Sequence, residues 1–397
     1  MSMPSINTDF SSANKAFSCY SSGKPQTQKW VGLSLVVAGS AALAFYFLKK
    51  IDFKSYFGAS SMQKKFAPQV EITKELVQKI LCELGIEAKP NFTLPPKGRI
   101  ASNAVIESKD GEKFLLRFYP EGCEVDKLET GTVEFEVEAL SFLASQGILV
   151  PNPLQSKEAK KLLKLDGIKA FAYKLIPGNC LEQKDLSSEV ATKAGTLLMS
   201  MMKASEGFKL TMDNPPRGDL SYILRISDIV KEKYPVLSDS ESFKEMVDFV
   251  KELESKKQLE KTPLGIVHAD FFFENIIISP KGDTGIIDFG DVYYGHVLQD
   301  VVIGAMEFCV QEDTSWNMEM FTNFIAPLKP WLSENNVSFQ LFYDLLKANC
   351  LRFAVYTLPS DLEENNSVEE NGYIKRFKDL QKPELREQLT KAYSAQA

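Results

Sequence analysis

The feature that most constrains this fold is a pair of short apolar, β-branched segments, residues 276–278 and 285–287, with the turn sequence Ser-Pro-Lys-Gly-Asp at 279–283 between them. This pattern predicts a β-hairpin with a five-residue turn. Asn275 directly precedes the first predicted strand, and Asp288 directly follows the second. Because a hairpin brings the start of its first strand to the end of its second, we expect Asn275 and Asp288 to lie close together.

These side chains predict a chemistry as well as a geometry. An amide oxygen and a carboxylate at the mouth of one hairpin form a hard-oxygen site that suits magnesium, which takes few protein ligands and completes its shell with phosphate oxygens. Asp270 lies five residues before Asn275, where a carboxylate can accept a hydrogen bond from an incoming hydroxyl. The three residues together favour phosphoryl transfer from ATP over an ordinary surface hairpin with polar ends.

The same segment carries a family resemblance. The order His268, Asp270, Asn275, followed by Ile-Asp-Phe-Gly-Asp around Asp288, resembles the aminoglycoside phosphotransferase and choline kinase family, distant relatives of protein kinases. The resemblance extends over about residues 69–397. It implies that Asp270 is catalytic, that His268 braces the catalytic loop, and that Asn275 and Asp288 bind magnesium.

The resemblance also implies a fold and a class of substrate. The expected fold is α+β and bilobal, like that of protein kinases, with a small β-rich N-lobe at 69–177, a mostly helical C-lobe at 178–397, and ATP in the cleft. Leu351-Arg352-Phe353 resembles homoserine kinases, and residues 288–292 resemble hydroxylysine kinases. The expected acceptor is therefore the hydroxyl of a small amino alcohol or hydroxy amino acid. A nucleotide-binding pseudokinase and a kinase of proteins or lipid headgroups remain alternatives.

A second hairpin is predicted in the N-lobe, with strands at 98–108 and 113–119 and an Asp-Gly turn. Ser102 and Asn103 resemble the Ser-Asn of the family's phosphate-covering loop, where backbone amides and small side chains approach phosphate. Arg117 stands where a protein kinase has Lys, and its guanidinium can still contact phosphate in bidentate fashion. An exposed strand arginine is the alternative interpretation.

Arg117 needs an acidic partner, and residues 133–144 supply three candidates on one predicted helix. Glu136 falls within the apolar arc of that helix, whereas Glu134 and Glu138 lie outside it. Because a carboxylate on a buried face is unfavourable unless it is paired, Glu136 is the predicted partner of Arg117.

Three further residues are candidates. Asp291 either contacts a second metal or the substrate, or closes the turn. Arg352 lies in the mostly apolar run 351–358 and either binds a substrate carboxylate or extends its head group to solvent. Asp300 matches an aspartate that braces the catalytic loop in the family, although an N-cap role fits it equally well.

The N-terminus differs in character from the rest of the chain. Residues 30–48 are uncharged and mostly apolar, with lysines on both sides and more of them on the C-terminal side. Their length predicts a transmembrane helix, preceded by a disordered tail at 1–29 and followed by a linker at 49–68. The expected location is therefore a single-pass membrane protein whose catalytic domain faces the cytosol. A buried soluble helix is the alternative.

Composition limits the number of lobes and the classes of partner that can be expected. A chain of 397 residues, 44% hydrophobic and 25% charged, is long enough for two lobes. Its formal net charge of −7 and the absence of a basic stripe interleaved with aromatics predict no nucleic-acid partner. The expected partners are ATP with Mg²⁺, a small hydroxyl acceptor, and a membrane.

Overall fold

A computed structural model describes residues 70–94, 101–120, 132–212, 219–311 and 314–394. The first part of the described chain is a five-stranded antiparallel sheet with two helices, and the remainder is mostly helical. The bilobal, kinase-like α+β architecture expected from the sequence agrees with this arrangement.

The sheet has the strand order β1-β2-β3-β5-β4, with every neighbouring pair antiparallel. The predicted N-lobe hairpin is confirmed as β2 and β3, in which Asn103 lies opposite Arg117. Gly111 adopts the left-handed conformation, with a φ of 80°, which an Asp-Gly turn requires. The five strands are β1 (Ala88–Thr93), β2 (Ser102–Ser108), β3 (Lys113–Pro120), β4 (Leu163–Leu165) and β5 (Ile168–Lys174).

Two helices accompany the sheet. Helix α1 (Lys74–Leu84) begins where Thr73 accepts a hydrogen bond from the Leu76 amide and ends at Gly85, whose φ of 68° forms a left-handed cap. Helix α2 (Thr132–Ser145) buries the predicted apolar arc, and Glu136 on that arc is only 2% exposed. The helix therefore carries a carboxylate into the interior between the sheet and the second part of the molecule.

The second part is built around a central helix, α6 (Leu298–Phe308), every residue of which is buried. The 25-residue helix α9 (Phe339–Glu363) packs against α6, and Asn349 donates a hydrogen bond to Gln299 at 3.0 Å in their buried contact. The other helices are α3 (Ser188–Ser205), α4 (Leu220–Lys233), α5 (Glu241–Ser255), α7 (Met318–Ile325), α8 (Lys329–Glu334), α10 (Gly372–Asp379) and α11 (Pro383–Ser394).

Two small sheets flank residues 268–275, the segment that carries His268, Asp270 and Asn275. Strand β7 (Leu264–Val267) pairs with β10 (Tyr293–His296), and β6 (Asn179–Cys180) pairs with β8 (Ile276–Ile278). Strand β8 forms the predicted hairpin with β9 (Thr284–Ile286). Because β9 ends one residue earlier than predicted, Ile287 already belongs to the mouth of the hairpin.

The prediction of a transmembrane helix is wrong for the part of the chain that the structure describes. No helix in that part is both long enough and apolar enough to cross a bilayer. Residues 30–48, on which the prediction rested, lie outside the described residues, as do the predicted tail at 1–29 and linker at 49–68. The single-pass membrane location and the membrane partner were predicted from that helix alone, so the described structure supports neither of them.

Candidate active site

The mouth of the β8–β9 hairpin brings the predicted metal-binding positions together. The Ile287 amide donates a hydrogen bond to the Asn275 carbonyl at 2.9 Å, which places Asp288 beside the start of β8. Asp288 has a φ of 62°, a left-handed conformation that is uncommon for a residue with a side chain. Its carboxyl side chain remains 25% exposed, so it can still reach a ligand.

Asn275 ties the hairpin to the loop that precedes it. Its Nδ2 donates to the carbonyl oxygen of Asp270 at 2.9 Å and to Asp270 Oδ2 at 3.0 Å. Both residues are buried, Asp270 at 8% exposed and Asn275 at 9%. Because the amide nitrogen faces Asp270, the amide oxygen faces away from it and is available to a cation.

His268 joins the same loop to the other strand of the hairpin. Its Nε2 donates to the Ile287 carbonyl at 3.0 Å, and its Nδ1 accepts from the Asp270 amide at 3.2 Å. This pair of contacts requires the neutral ring. Burial lowers the pKa of His268 to about 4, outweighing the opposing effect of its hydrogen bond to Ile287. The ring therefore stays uncharged at neutral pH and fixes the backbone of Asp270.

Asp300, in the first turn of α6, holds the loop from below. Its two carboxylate oxygens accept from the amides of His268 at 2.6 Å and Ala269 at 2.8 Å. Residue 297 is the N-cap of α6, so the geometry agrees with the bracing role of Asp300 and not with the N-cap role. Ala269 has a φ of 69°, a strained conformation that persists where the surroundings fix it. Burial raises the pKa of Asp300 to about 6, opposed by the hydrogen bonds from both amides.

Arg117 on β3 lies beside its predicted partner, Glu136, and also beside Asp288 at the hairpin mouth. Its Nη1 lies 3.7 Å from Glu136 Oε1 and 3.5 Å from Asp288 Oδ1, and the Arg117 side chain is 11% exposed. The sequence therefore identified the correct glutamate, and the exposed-strand alternative for Arg117 does not hold. Gly290 allows this arrangement, because a Cβ there would lie 3.1 Å from Arg117 Nη2.

Ser102 and Asn103 are at the start of β2, on the strand paired with β3. Asn103 lies opposite Arg117, so the two side chains emerge on the same face of the sheet. Ser102 Oγ and Asn103 Oδ1 are buried and have no hydrogen-bond partner within the described part of the chain. Buried polar atoms of this kind are unfavourable unless a ligand or water satisfies them.

Asp291 and Arg352, the predicted substrate residues, lie near each other. Arg352 is 6% exposed, and its Nη2 donates to the Ala269 carbonyl at 3.3 Å, so the head group does not extend to solvent. Burial lowers the pKa of Arg352, but Tyr293, Tyr356 and Asp291 act against burial and raise it overall. The Tyr293 hydroxyl lies close to the Arg352 guanidinium, but Arg352 Nε and Nη1 make no well-aligned hydrogen bond within the described part of the chain.

The donor set fits a hard divalent cation that is shared with phosphate. Asn275 and Asp288 supply an amide oxygen and a carboxylate, and Asp288 is already close to a cationic group at Arg117. The described residues contain no group of three or more His, Cys, Asp or Glu side chains that could hold a metal ion. A cation at this mouth would therefore need oxygens from its substrate, as magnesium commonly does.

Tyr119 is the residue of this site that the sequence analysis missed. It accepts a hydrogen bond from Arg117 Nε and donates one to Glu136 Oε2 at 2.8 Å. A signal for it was present, since residues two apart on a strand share a face, so Tyr119 points the same way as Arg117.

The chain is similar to known proteins of one enzyme family. Residues 91–333 match the family model described as the phosphotransferase enzyme family. The chain is 24% identical over 220 residues to a homoserine kinase from Methylobacillus flagellatus, covering 55% of this chain and 65% of the relative, slightly under two thirds of its length. It is 22% identical over 252 residues to a homoserine kinase from Agrobacterium fabrum, covering 64% and 74%.

A solved structure shows the same fold. An amicoumacin kinase in complex with AMP-PNP and Ca²⁺ superposes with a TM-score of 0.60 at 17% identity, covering 78% of this chain and 93% of that one. At this identity the likeness concerns the fold alone. The family match, in contrast, spans more than half of the chain. This protein belongs to the phosphotransferase enzyme family.

Proposed function

We propose that this protein is an ATP- and Mg²⁺-dependent phosphotransferase that phosphorylates the hydroxyl of a small molecule. The observation that carries the proposal is the hydrogen-bonded pair of Asp270 and Asn275 at the hairpin mouth, adjacent to an aspartate held by a buried arginine. We place the ATP-covering N-lobe at 69–177 and the catalytic C-lobe at 178–397.

Asp270 is the proposed catalytic residue. The Asn275 side-chain amide donates a hydrogen bond to Asp270 Oδ2, which holds the carboxylate in one orientation. In that orientation the carboxylate would accept the hydrogen bond of the acceptor hydroxyl. The loop backbone is fixed by His268 and Asp300 and does not have to reorganise for transfer. Phosphoryl transfer depends mainly on such positioning, because the protein supplies little covalent chemistry.

The nucleotide is proposed to lie between the hairpin mouth and strands β2 and β3. Asn275 and Asp288 would hold Mg²⁺, which neutralises charge on the phosphates when it is bound. Arg117, oriented by Glu136, would contact phosphate oxygens, and the small polar side chains of Ser102 and Asn103 would line the covering strand. The position of Asn103 supports this placement, since its side chain lies opposite Arg117 on the same face of the sheet.

The proposed acceptor is a hydroxy amino acid or amino alcohol, similar to homoserine or hydroxylysine. The homoserine kinases among the relatives support this class, and so does the position of Arg352 beside the loop that carries Asp270, with Asp291 close enough to raise the pKa of Arg352. Nε and Nη1 of Arg352, which make no well-aligned hydrogen bond in the described part of the chain, can donate to an acceptor carboxylate. Asp291 would be placed to attract an ammonium group.

An acceptor panel tests the proposal. The purified protein is incubated with MgATP and homoserine, hydroxylysine, ethanolamine, choline or an aminoglycoside, and ADP and phosphorylated product are measured together. We expect one amino alcohol or hydroxy amino acid to gain a phosphate in proportion to ADP formed. MgATP binding without transfer to any acceptor would contradict the proposal and indicate a nucleotide-binding scaffold.

A further inference from the structure

Three buried side chains form a hydrogen-bonded chain that includes a tyrosine in addition to the predicted arginine and glutamate. Arg117 and Tyr119 are two residues apart on β3, and Glu136 on α2 lies over them. The Tyr119 hydroxyl accepts from Arg117 Nε and donates to Glu136 Oε2 at 2.8 Å. Tyr119 is 3% exposed, and Glu136 is 2% exposed.

The phenol makes a link that the charged pair does not make directly. Arg117 Nη1 and Glu136 Oε1 are 3.7 Å apart, which is beyond the range of a good hydrogen bond. Burial raises the pKa of the Tyr119 phenol well above its ordinary value, so the hydroxyl keeps its proton and can donate to Glu136. Tyr119 thus supplies the hydrogen-bonded connection between the guanidinium and the carboxylate.

This hydrogen-bonded chain also sets which edge of the guanidinium faces the hairpin mouth. Because Nε is bonded to Tyr119, the planar group presents Nη1 and Nη2 on its far side. Nη1 lies 3.5 Å from Asp288, and Nη2 lies next to the position of a Cβ on residue 290. These are the nitrogens that a phosphate would meet at the proposed nucleotide site.

We propose that Tyr119 is a positioning residue for nucleotide binding, which acts through Arg117 by holding its guanidinium with the Nη edge toward the phosphates. This inference rests on the nucleotide site of the proposed function. It also gives a reason for arginine at a position where protein kinases have lysine. The planar guanidinium donates well to phosphate only when its plane is correctly oriented, whereas the ammonium of lysine has rotatable donors.

Packing is the competing role for Tyr119. Its ring stacks on Phe171, with centroids 6.3 Å apart and planes at 14°. A Tyr119→Phe substitution keeps the ring and removes both hydrogen bonds of the hydroxyl, so it separates orientation of Arg117 from packing. It leaves Glu136 with one donor fewer, and the resulting loss of stability would be similar whatever residue stands at 117.

A double-mutant cycle provides the test, with the affinity for Mg–AMP-PNP as the readout. We expect Tyr119→Phe to weaken binding by about 10-fold in the wild type, the size of a hydrogen bond to a charged group. In an Arg117→Met background the same substitution should change affinity by less than about 2-fold, because the group through which it acts is gone. Thermal unfolding is followed for all four proteins.

The matched control is Tyr343→Phe, whose hydroxyl donates to the Leu380 carbonyl within the helical part. It should leave nucleotide affinity unchanged. An equal loss of affinity from Tyr119→Phe in both backgrounds, or none in the wild type, would overturn the inference. Nucleotide binding without transfer to any acceptor would overturn the proposed function alone, and no nucleotide binding by the wild type would overturn both.

Discussion

The proposed catalytic loop, residues 268–270, and the cluster of Arg117, Tyr119 and Glu136 are held in different ways. In the loop, Asp300 accepts from two backbone amides at 2.6 and 2.8 Å, and His268 bonds to the hairpin backbone at 3.0 Å. In the cluster, the contacts of Arg117 with Tyr119, Glu136 and Asp288 join side chains, and Arg117 Nη1 lies 3.7 Å from Glu136 and 3.5 Å from Asp288. Main-chain bonds fix the first region, whereas rotatable side chains form the second.

This difference predicts different responses to ligand. Because buried backbone bonds fix the loop, we expect Asp270 to keep its position with or without nucleotide. Arg117 Nη1 lies between two carboxylates at long distances, so we expect it to shift toward phosphate when nucleotide binds, while Nε keeps its hydrogen bond to Tyr119. Substitutions in the loop should therefore affect stability and turnover, and those in the cluster mainly nucleotide affinity.

Asp300→Ala should have the largest effect on the loop. It leaves the buried amides of His268 and Ala269 without an acceptor, at about 1–3 kcal/mol each. We expect the free energy of unfolding, measured by urea titration, to fall by roughly 2–6 kcal/mol, and turnover to fall as well. Asp248→Ala, which removes an exposed carboxylate, is the control and should change stability by less than about 1 kcal/mol. Equal stability of the two variants would show that the hydrogen bonds from the His268 and Ala269 amides to Asp300 do not stabilise the loop.

His268→Gln tests the neutral ring through pH. The wild type has a folded pKa of about 4 at His268, against an ordinary value of 6.5, so the unfolded state binds a proton between these values and the folded state does not. The stability advantage of the wild type over the variant should therefore be full above pH 6.5 and shrink as the pH falls to 4, by on the order of 3 kcal/mol.

The half-buried His296 is the matched control for this titration. Burial also lowers the pKa of His296, but its ring is not fully enclosed. His296→Gln should therefore show a smaller pH-dependent difference from the wild type. Unfolding midpoints that differ from the wild type by the same amount at pH 7 and pH 4.5 for His268→Gln would contradict a neutral, buried His268.

Gly290→Ala should have the smallest effect and act on the cluster. A Cβ at this position would lie 3.1 Å from Arg117 Nη2 and 3.4 Å from Asp288 Oδ1, so the flexible guanidinium has to give by a few tenths of an ångström. We expect KM for ATP to rise by about 2–5-fold, corresponding to about 0.4–1 kcal/mol, with little change in unfolding midpoint. A large loss of stability with unchanged KM would indicate that the cluster is as rigid as the loop.

The sequence predicted the loop better than the cluster, for a physical reason. Asn275 and Asp288 flank one local hairpin, and Asp270 lies on the loop just before it, so short-range turn patterns were enough to bring Asn275 and Asp288 together. The left-handed backbone at Ala269 and Asp288 could not be predicted, because neither residue favours that conformation and the surrounding contacts impose it.

Long-range contacts were harder to derive. Burial on a helical face identified Glu136, since a carboxylate there needs a partner. Tyr119 resembles an ordinary strand aromatic until the helix that packs over it is known. The predicted transmembrane helix came from the length and hydropathy of 30–48 alone, and the described structure contains no helix able to span a membrane.

The most direct test of phosphoryl transfer is a comparison of Asp270→Asn with the wild type, using the acceptor that the panel identifies. The amide preserves the size of the side chain and removes the carboxylate that accepts the hydroxyl proton. We predict that kcat falls by about 10²–10⁴-fold, while the Kd for Mg–AMP-PNP changes by less than about 3-fold. A kcat equal to that of the wild type would contradict the catalytic role of Asp270.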